Sequence, residues 1–124
     1  MVNFTKRIAT LAIVIATLGA SPAVFAHAHL KTQYPAADKE VSTAPKVLTL
    51  DFSEGIEPQF SGIKLTGPAE TIIQTGKVER NAQDEKQMIV PLESALKPGA
   101  YTVEWHVVSV DGHKTQGNYH FTVK

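Results

Sequence analysis

The sequence contains no cysteine, which excludes a disulfide framework, a thiolate metal site and a cysteine nucleophile. Its formal net charge is zero, so the basic surface that nucleic-acid binding requires is missing, and no nucleic-acid partner is expected. Methionine is nearly absent, with only Met1 and Met88. No glycine-rich phosphate loop and no nucleophile motif occurs. Long apolar runs are also absent beyond the first 26 residues, so no membrane span is expected in the rest of the chain.

Those first 26 residues have the form of an export signal. Lys6 and Arg7 supply a positive start, and Ile8 to Ala20 is apolar except for Thr10 and Thr17. Ser21-Pro22 breaks the run, and Val24-Phe25-Ala26 precedes a cleavage point. The apolar stretch is too short for a membrane-spanning helix. Cleavage after Ala26 leaves a mature domain, residues 27–124, that starts at His27, exported to the periplasm of a Gram-negative cell and not inserted in the membrane. A competing cut after Ala28 would place His29 first. Removing Lys6 and Arg7 leaves ten basic against twelve acidic side chains, a net charge of −2.

From residue 27 onward the apolar spacing is mostly two, the strand period. Leu48, Leu50 and Phe52 alternate with polar neighbours, as do Ile63 and Leu65, Tyr101 to Val107, and Tyr119 to Val123, while Met88, Val90 and Leu92 keep the same spacing. Pro91 is expected to push its strand to a sheet edge, and Thr71 to Glu79 forms a weaker strand candidate. Pro35, Pro45, Glu57-Pro58, Gly67-Pro68, Lys97-Pro98-Gly99 and Asp111-Gly112 mark reversals. The pattern predicts an all-β domain, a small antiparallel sandwich or barrel. Trp105, Tyr101, Phe52, Phe60, Tyr119 and Phe121 are its expected aromatic core, with Met88.

Five histidines remain after signal removal: His27, His29, His106, His113 and His120. An N-terminal His27 offers two nitrogens, its α-amine and ring Nδ1, which close a six-membered chelate ring on a metal. The α-amine has a low pKa, about 7.7–8.0, so a metal displaces its proton readily. His29 adds an imidazole two residues on. Asp111 and His113, separated by a glycine without a side chain, would share one side of an extended segment. Nitrogen donors with one carboxylate and no sulfur suit Cu(II), although Zn(II) accepts the same ligands. A rival Cu(II) site needs neither Asp111 nor His113: the amine, two deprotonated amides and the His29 ring. Asp-Gly is also a common turn. His106 and His120 would face each other, and form a second site, if their strands paired about residue 113. Glu54 and Glu57 read as a solvated turn.

Several runs resemble the CopC family of periplasmic copper-binding proteins. They are His27-Ala28-His29-Leu30, Tyr34-Pro35-Ala36, Leu50-Asp51-Phe52-Ser53, Pro98-Gly99-Ala100-Tyr101-Thr102-Val103, and Trp105 through His113. The resemblance implies a Greek-key β-sandwich or barrel of cupredoxin-like or immunoglobulin-like shape. It implies one Cu(II) per chain on His27, with His29, Asp111 and His113 completing the set by position. Some members hold Cu(I) in a methionine-rich loop, which this chain lacks. Many relatives are fused or linked to a CopD-type inner-membrane protein; without that fusion, a membrane partner would be a separate polypeptide.

The expected role is copper binding and carriage in uptake, trafficking or tolerance, and not catalysis. Two alternatives carry different expectations. A histidine-brace copper monooxygenase would need a broad substrate face. A metal-free structural sandwich would take up no Cu(II) beyond a surface background.

Overall fold

The computed structural model describes residues 28–124. The expected export signal and His27 lie outside the described residues. Nine strands form: β1 Leu30–Tyr34, β2 Glu40–Val41, β3 Val47–Phe52, β4 Gly62–Thr66, β5 Ile72–Ile73, β6 Glu79–Asn81, β7 Asp84–Pro91, β8 Gly99–Val108 and β9 Lys114–Val123. They make two sheets, ordered β1-β3-β7-β6 and β2-β9-β8-β4-β5. This is the expected all-β fold, closed as a sandwich. Pairing is antiparallel except between β2 and β9, which run parallel through Glu40↔Thr122 and Val41↔Val123.

The alternation seen in the sequence becomes the inner faces of the two sheets. Leu48, Leu50 and Phe52 of β3 meet Tyr101, Val103, Trp105 and Val107 of β8 and Tyr119, Phe121 and Val123 of β9 in one core. Each large apolar side chain so buried stabilises the fold by roughly 1.5–3 kcal/mol, and with no disulfide this core carries the stability. Two aromatic pairs organise it. Phe52 meets Trp105 edge to face with ring centres 5.2 Å apart. Tyr101 stacks on Phe121 at 5.4 Å. Trp105 lies over Gly117, its partner on β9. A Cβ on Gly117 would come within 2.6 Å of the indole, so glycine is what lets the ring reach Phe52.

Three expectations change. Phe60 is 63 % exposed and outside the core, because it sits in a short 3₁₀ turn, Pro58–Phe60, outside the strand pattern. The strand with Pro91 is interior, between β3 and β6. The proline is tolerated because it is the last residue of β7, beyond the pairing with β6. The Thr71 to Glu79 segment is not one strand. It crosses from β5 in one sheet to β6 in the other.

The first sheet also holds β1 in place by side-chain bonds on its outer face. Thr32 Oγ1 donates to Asp51 Oδ2 at 2.7 Å, and Gln87 Nε2 donates to Asp51 Oδ1 at 2.8 Å. One aspartate thus ties β1, β3 and β7 together and fixes the strand that follows the N-terminal residues.

Candidate metal centre

The candidate ligands Asp111 and His113 sit in the loop that joins β8 to β9. Ser109 N–H donates to the His113 carbonyl at 2.9 Å, and Gly112 N–H to the Ser109 carbonyl at 2.8 Å. The segment is therefore a hairpin turn, not the extended strand that the Asp-x-His spacing suggested. Gly112 makes the turn possible: its φ of +92° lies where side chains are rarely tolerated. The turn still brings the two side chains together, with His113 Nδ1 3.2 Å from Asp111 Oδ1. Both are partly exposed, His113 at 49 % and Asp111 at 39 %, so an ion can reach them from solvent.

That spacing fits a shared metal. Two donors each about 2.0–2.1 Å from an ion and at right angles are about 2.9 Å apart. A metal can thus sit between the two groups with little movement.

Ser109 underlies the pair. It is buried, and its hydroxyl donates to Asp111 Oδ1 while lying 3.3 Å from both the backbone N–H and the carbonyl of His113. This bond, followed by that from His113, holds the Asp111 carboxyl below its ordinary value. In metal-free protein, Ser109→Ala should therefore move the Asp111 titration upward, toward the ordinary range near about 3.9. Carboxyl NMR across a pH series reads this directly; an unmoved midpoint would remove Ser109 from the account. The sign also sets a stability trend. A lowered folded value contributes stability above the unfolded value and loses it as pH falls through the folded one, so the variant's deficit should shrink in acid.

The N-terminal residues reach the same end of the sandwich. Ala28 is buried, and its carbonyl accepts from Thr115 Oγ1 at 2.9 Å. His29 and Ser53 bond twice, His29 N–H to Ser53 Oγ at 2.8 Å and Ser53 N–H to the His29 carbonyl at 2.9 Å. Ten residues later Asp38 N–H donates to the His120 carbonyl at 2.7 Å. The chain from Ala28 to Asp38 thus runs alongside β9 in the same direction, with Ala28 at the end where Asp111 and His113 lie. The segment after β3 straps the turn from the other side: Val110 N–H donates to the Gly55 carbonyl at 2.9 Å and Glu57 N–H to the Val108 carbonyl at 2.8 Å.

Not every expected residue joins the pair. His29 is exposed and lines a groove with Trp105, Gly117 and His120. Among the described residues no three His, Asp or Glu side chains form a group able to hold a metal, so His29 does not complete a trio with Asp111 and His113 there. The suggested His106–His120 site does not form. The hairpin is centred on residue 111, so His106 pairs with Gln116 and His120 with Thr102, whose hydroxyl lies 3.0 Å from His120 Nδ1. Met88 is fully buried, as expected of a core residue. Ser53 and Ser109 lie within the family-like runs but, like Thr115, carry no chemical signal of their own in the sequence, where each is an ordinary polar position.

The CopC domain family matches residues 30–124. The chain belongs to the CopC family. The match takes in Asp111 and His113 and begins just after His29. Among curated CopC relatives, Protein YobA of Escherichia coli strain K12 is 60% identical over 114 residues, covering 92% of this chain and 91% of its own. Copper resistance protein C of Escherichia coli is 38% identical over 114 residues, covering 86% and 89%. The crystal structure of PcoC, described as a methionine-rich copper resistance protein from Escherichia coli, superposes with a TM-score of 0.72 at 39% identity. It covers 80% of this chain and 100% of that one. The CopC sandwich is therefore shared, while the methionine richness in that description is not: this chain has two methionines.

Proposed function

We propose that this CopC protein is a periplasmic copper carrier that binds one Cu(II) at its processed N-terminus. The observation that carries the reading is the course of the first described residues. Ala28 is anchored on Thr115, and the chain then follows β9 away from the turn. A residue preceding Ala28 can be no further than one Cα step, about 3.8 Å, from that anchored position. Cleavage after Ala26 makes that residue His27, with a free amine. The amine and ring Nδ1 of His27 then chelate the ion, and Asp111 and His113 supply an oxygen and a nitrogen from the other side. His29, set beside Ser53, is the least supported of the four sequence-derived ligands.

The donor chemistry supports copper in its oxidised state, since borderline nitrogens and a carboxylate suit Cu(II) and no thioether is available outside the core. Asp111 as a ligand would occupy a position that oxygen chemistry needs open, which supports binding in place of turnover. A separate CopD-type membrane protein is the partner this reading would supply. Titration of the mature protein with Cu(II) should saturate at one ion per chain, with a paramagnetic resonance spectrum of mixed nitrogen and oxygen ligation. Uptake no better than a surface-histidine background would reject the reading.

A further inference from the structure

An exported chain beginning His-Ala-His can hold Cu(II) in two chemically distinct ways. In one, the amine and ring of His27 act with Asp111 and His113. In the other, the amine, the deprotonated amides of Ala28 and His29, and the His29 ring wrap one ion and need nothing else from the fold. The sequence alone leaves both open. The described residues 28 and 29 discriminate between them, because their backbones are already committed.

The amide-based site requires the His29 amide nitrogen to surrender its proton and face the metal. In the structure that N–H is donated to Ser53 Oγ at 2.8 Å, and the carbonyl of the same residue accepts from Ser53 N–H at 2.9 Å. Residue 29 is thereby held to residue 53 through both its amide and its carbonyl. Ala28 is locked from another direction. Its side chain is only 1 % exposed, within the core cluster, and its carbonyl is held by Thr115 Oγ1 at 2.9 Å. Closing that chelate would break the His29 N–H bond to Ser53 Oγ, and any turning of the backbone at residues 28 and 29 would work against the buried Ala28 methyl and the Thr115 bond to its carbonyl. Breaking such a bond costs stability, and more so where a buried group is left without its partner.

We propose that Ser53 and Thr115 are positioning residues that select the copper chemistry of this protein. Ser53 holds the His29 amide proton, and Thr115 holds the Ala28 carbonyl. Together they disfavour the amine–amide chelate and bias the N-terminus toward binding with Asp111 and His113. The inference rests on the reading given under Proposed function and adds what enforces it. Thr115 is suited to the task by its place: two residues after His113, it ties the N-terminal segment to the same strand that carries the ligand turn.

The test compares mature protein, confirmed by mass to begin at His27, with the Ser53→Ala/Thr115→Val double variant and with Thr115→Ser. Each is loaded with one equivalent of Cu(II) and examined by electron paramagnetic resonance, with and without His113→Ala. In the parent, the spectrum should change on His113→Ala. In the double variant it should shift toward a four-nitrogen set and no longer respond to His113→Ala. Thr115→Ser, which keeps the hydroxyl, should behave as the parent. A folded double variant whose spectrum matches the parent and still responds to His113→Ala would overturn the proposal.

Should the double variant fail to fold, proton release on the parent decides the matter. Calorimetric titration in buffers of different ionisation enthalpy counts protons displaced by Cu(II). Retention of both amide protons supports the clamp; displacement of two more protons than the amine and side chains supply contradicts it. A parent that binds no Cu(II) above background would sink the carrier reading itself, whereas tight binding in amide form sinks only the clamp and the assigned partners.

Discussion

Replacing His113 by alanine in the mature protein should weaken Cu(II) binding by more than about 100-fold, about 2.7 kcal/mol. Removing groups that merely orient a metal ligand typically costs 10–100-fold, so loss of a ligand should exceed that range. The change should be local. His113 is about half exposed, in a turn held by Ser109 and Gly112 through backbone atoms, so the fold should lose no more than about 0.5 kcal/mol. Asp111 would remain on the turn without its nitrogen neighbour 3.2 Å away. A competition titration against a chromophoric Cu(II) chelator measures the loss. The same substitution discriminates the two N-terminal chemistries, because an ion enclosed by the amine and amides of residues 27 to 29 would be indifferent to residue 113.

Acetylation of the α-amine of His27 should have an effect of at least similar size, again more than about 100-fold. The modification removes one nitrogen donor and, with it, the chelate ring that makes His27 better than a solvated histidine. All side chains stay as they were. The melting temperature of the metal-free protein should therefore be unchanged while copper affinity collapses. Acetylation that leaves affinity intact would mean that copper sits elsewhere. The two experiments are complementary: acetylation abolishes both N-terminal chemistries, while His113→Ala abolishes only the one that reaches across to the turn.

Much of this architecture was legible from residues alone, and the exceptions have physical reasons. Strands β3, β8 and β9 announce themselves because their inner positions are uniformly large and apolar, as in Tyr101-Val103-Trp105-Val107. Strand β1, Leu30–Tyr34, does not, because its residues are mostly exposed and it is held by polar bonds such as Thr32 to Asp51. Phe60 misled for the opposite reason: aromatic character suggests burial, but a 3₁₀ turn between strands leaves the ring outside. The Asp111–His113 pair was visible as Asp-Gly-His, yet for an incomplete reason. Its side chains converge because a glycine at positive φ closes a tight turn over buried Ser109, not because a straight strand puts alternate residues on one side. The same turn displaced the hairpin centre and separated His106 from His120. Least legible were Ser53 and Thr115. Their partners are backbone atoms 24 and 87 residues away in sequence, and no periodicity in a single chain encodes such a meeting.

The picture that results is of a sandwich whose one end gathers three segments: the N-terminal residues beside Ser53 and Thr115, the strap at Gly55 to Glu57, and the Asp111–His113 turn. In the proposed reading the turn and the terminus supply the copper donors, and the rest sets their separation. A crystal structure of the mature protein loaded with one Cu(II) tests this most directly. It should show the ion bound by the His27 amine and ring nitrogen together with Asp111 and His113, with the His29 amide still on Ser53. Copper found on the amide nitrogens of Ala28 and His29, or far from residues 111–113, would contradict the account.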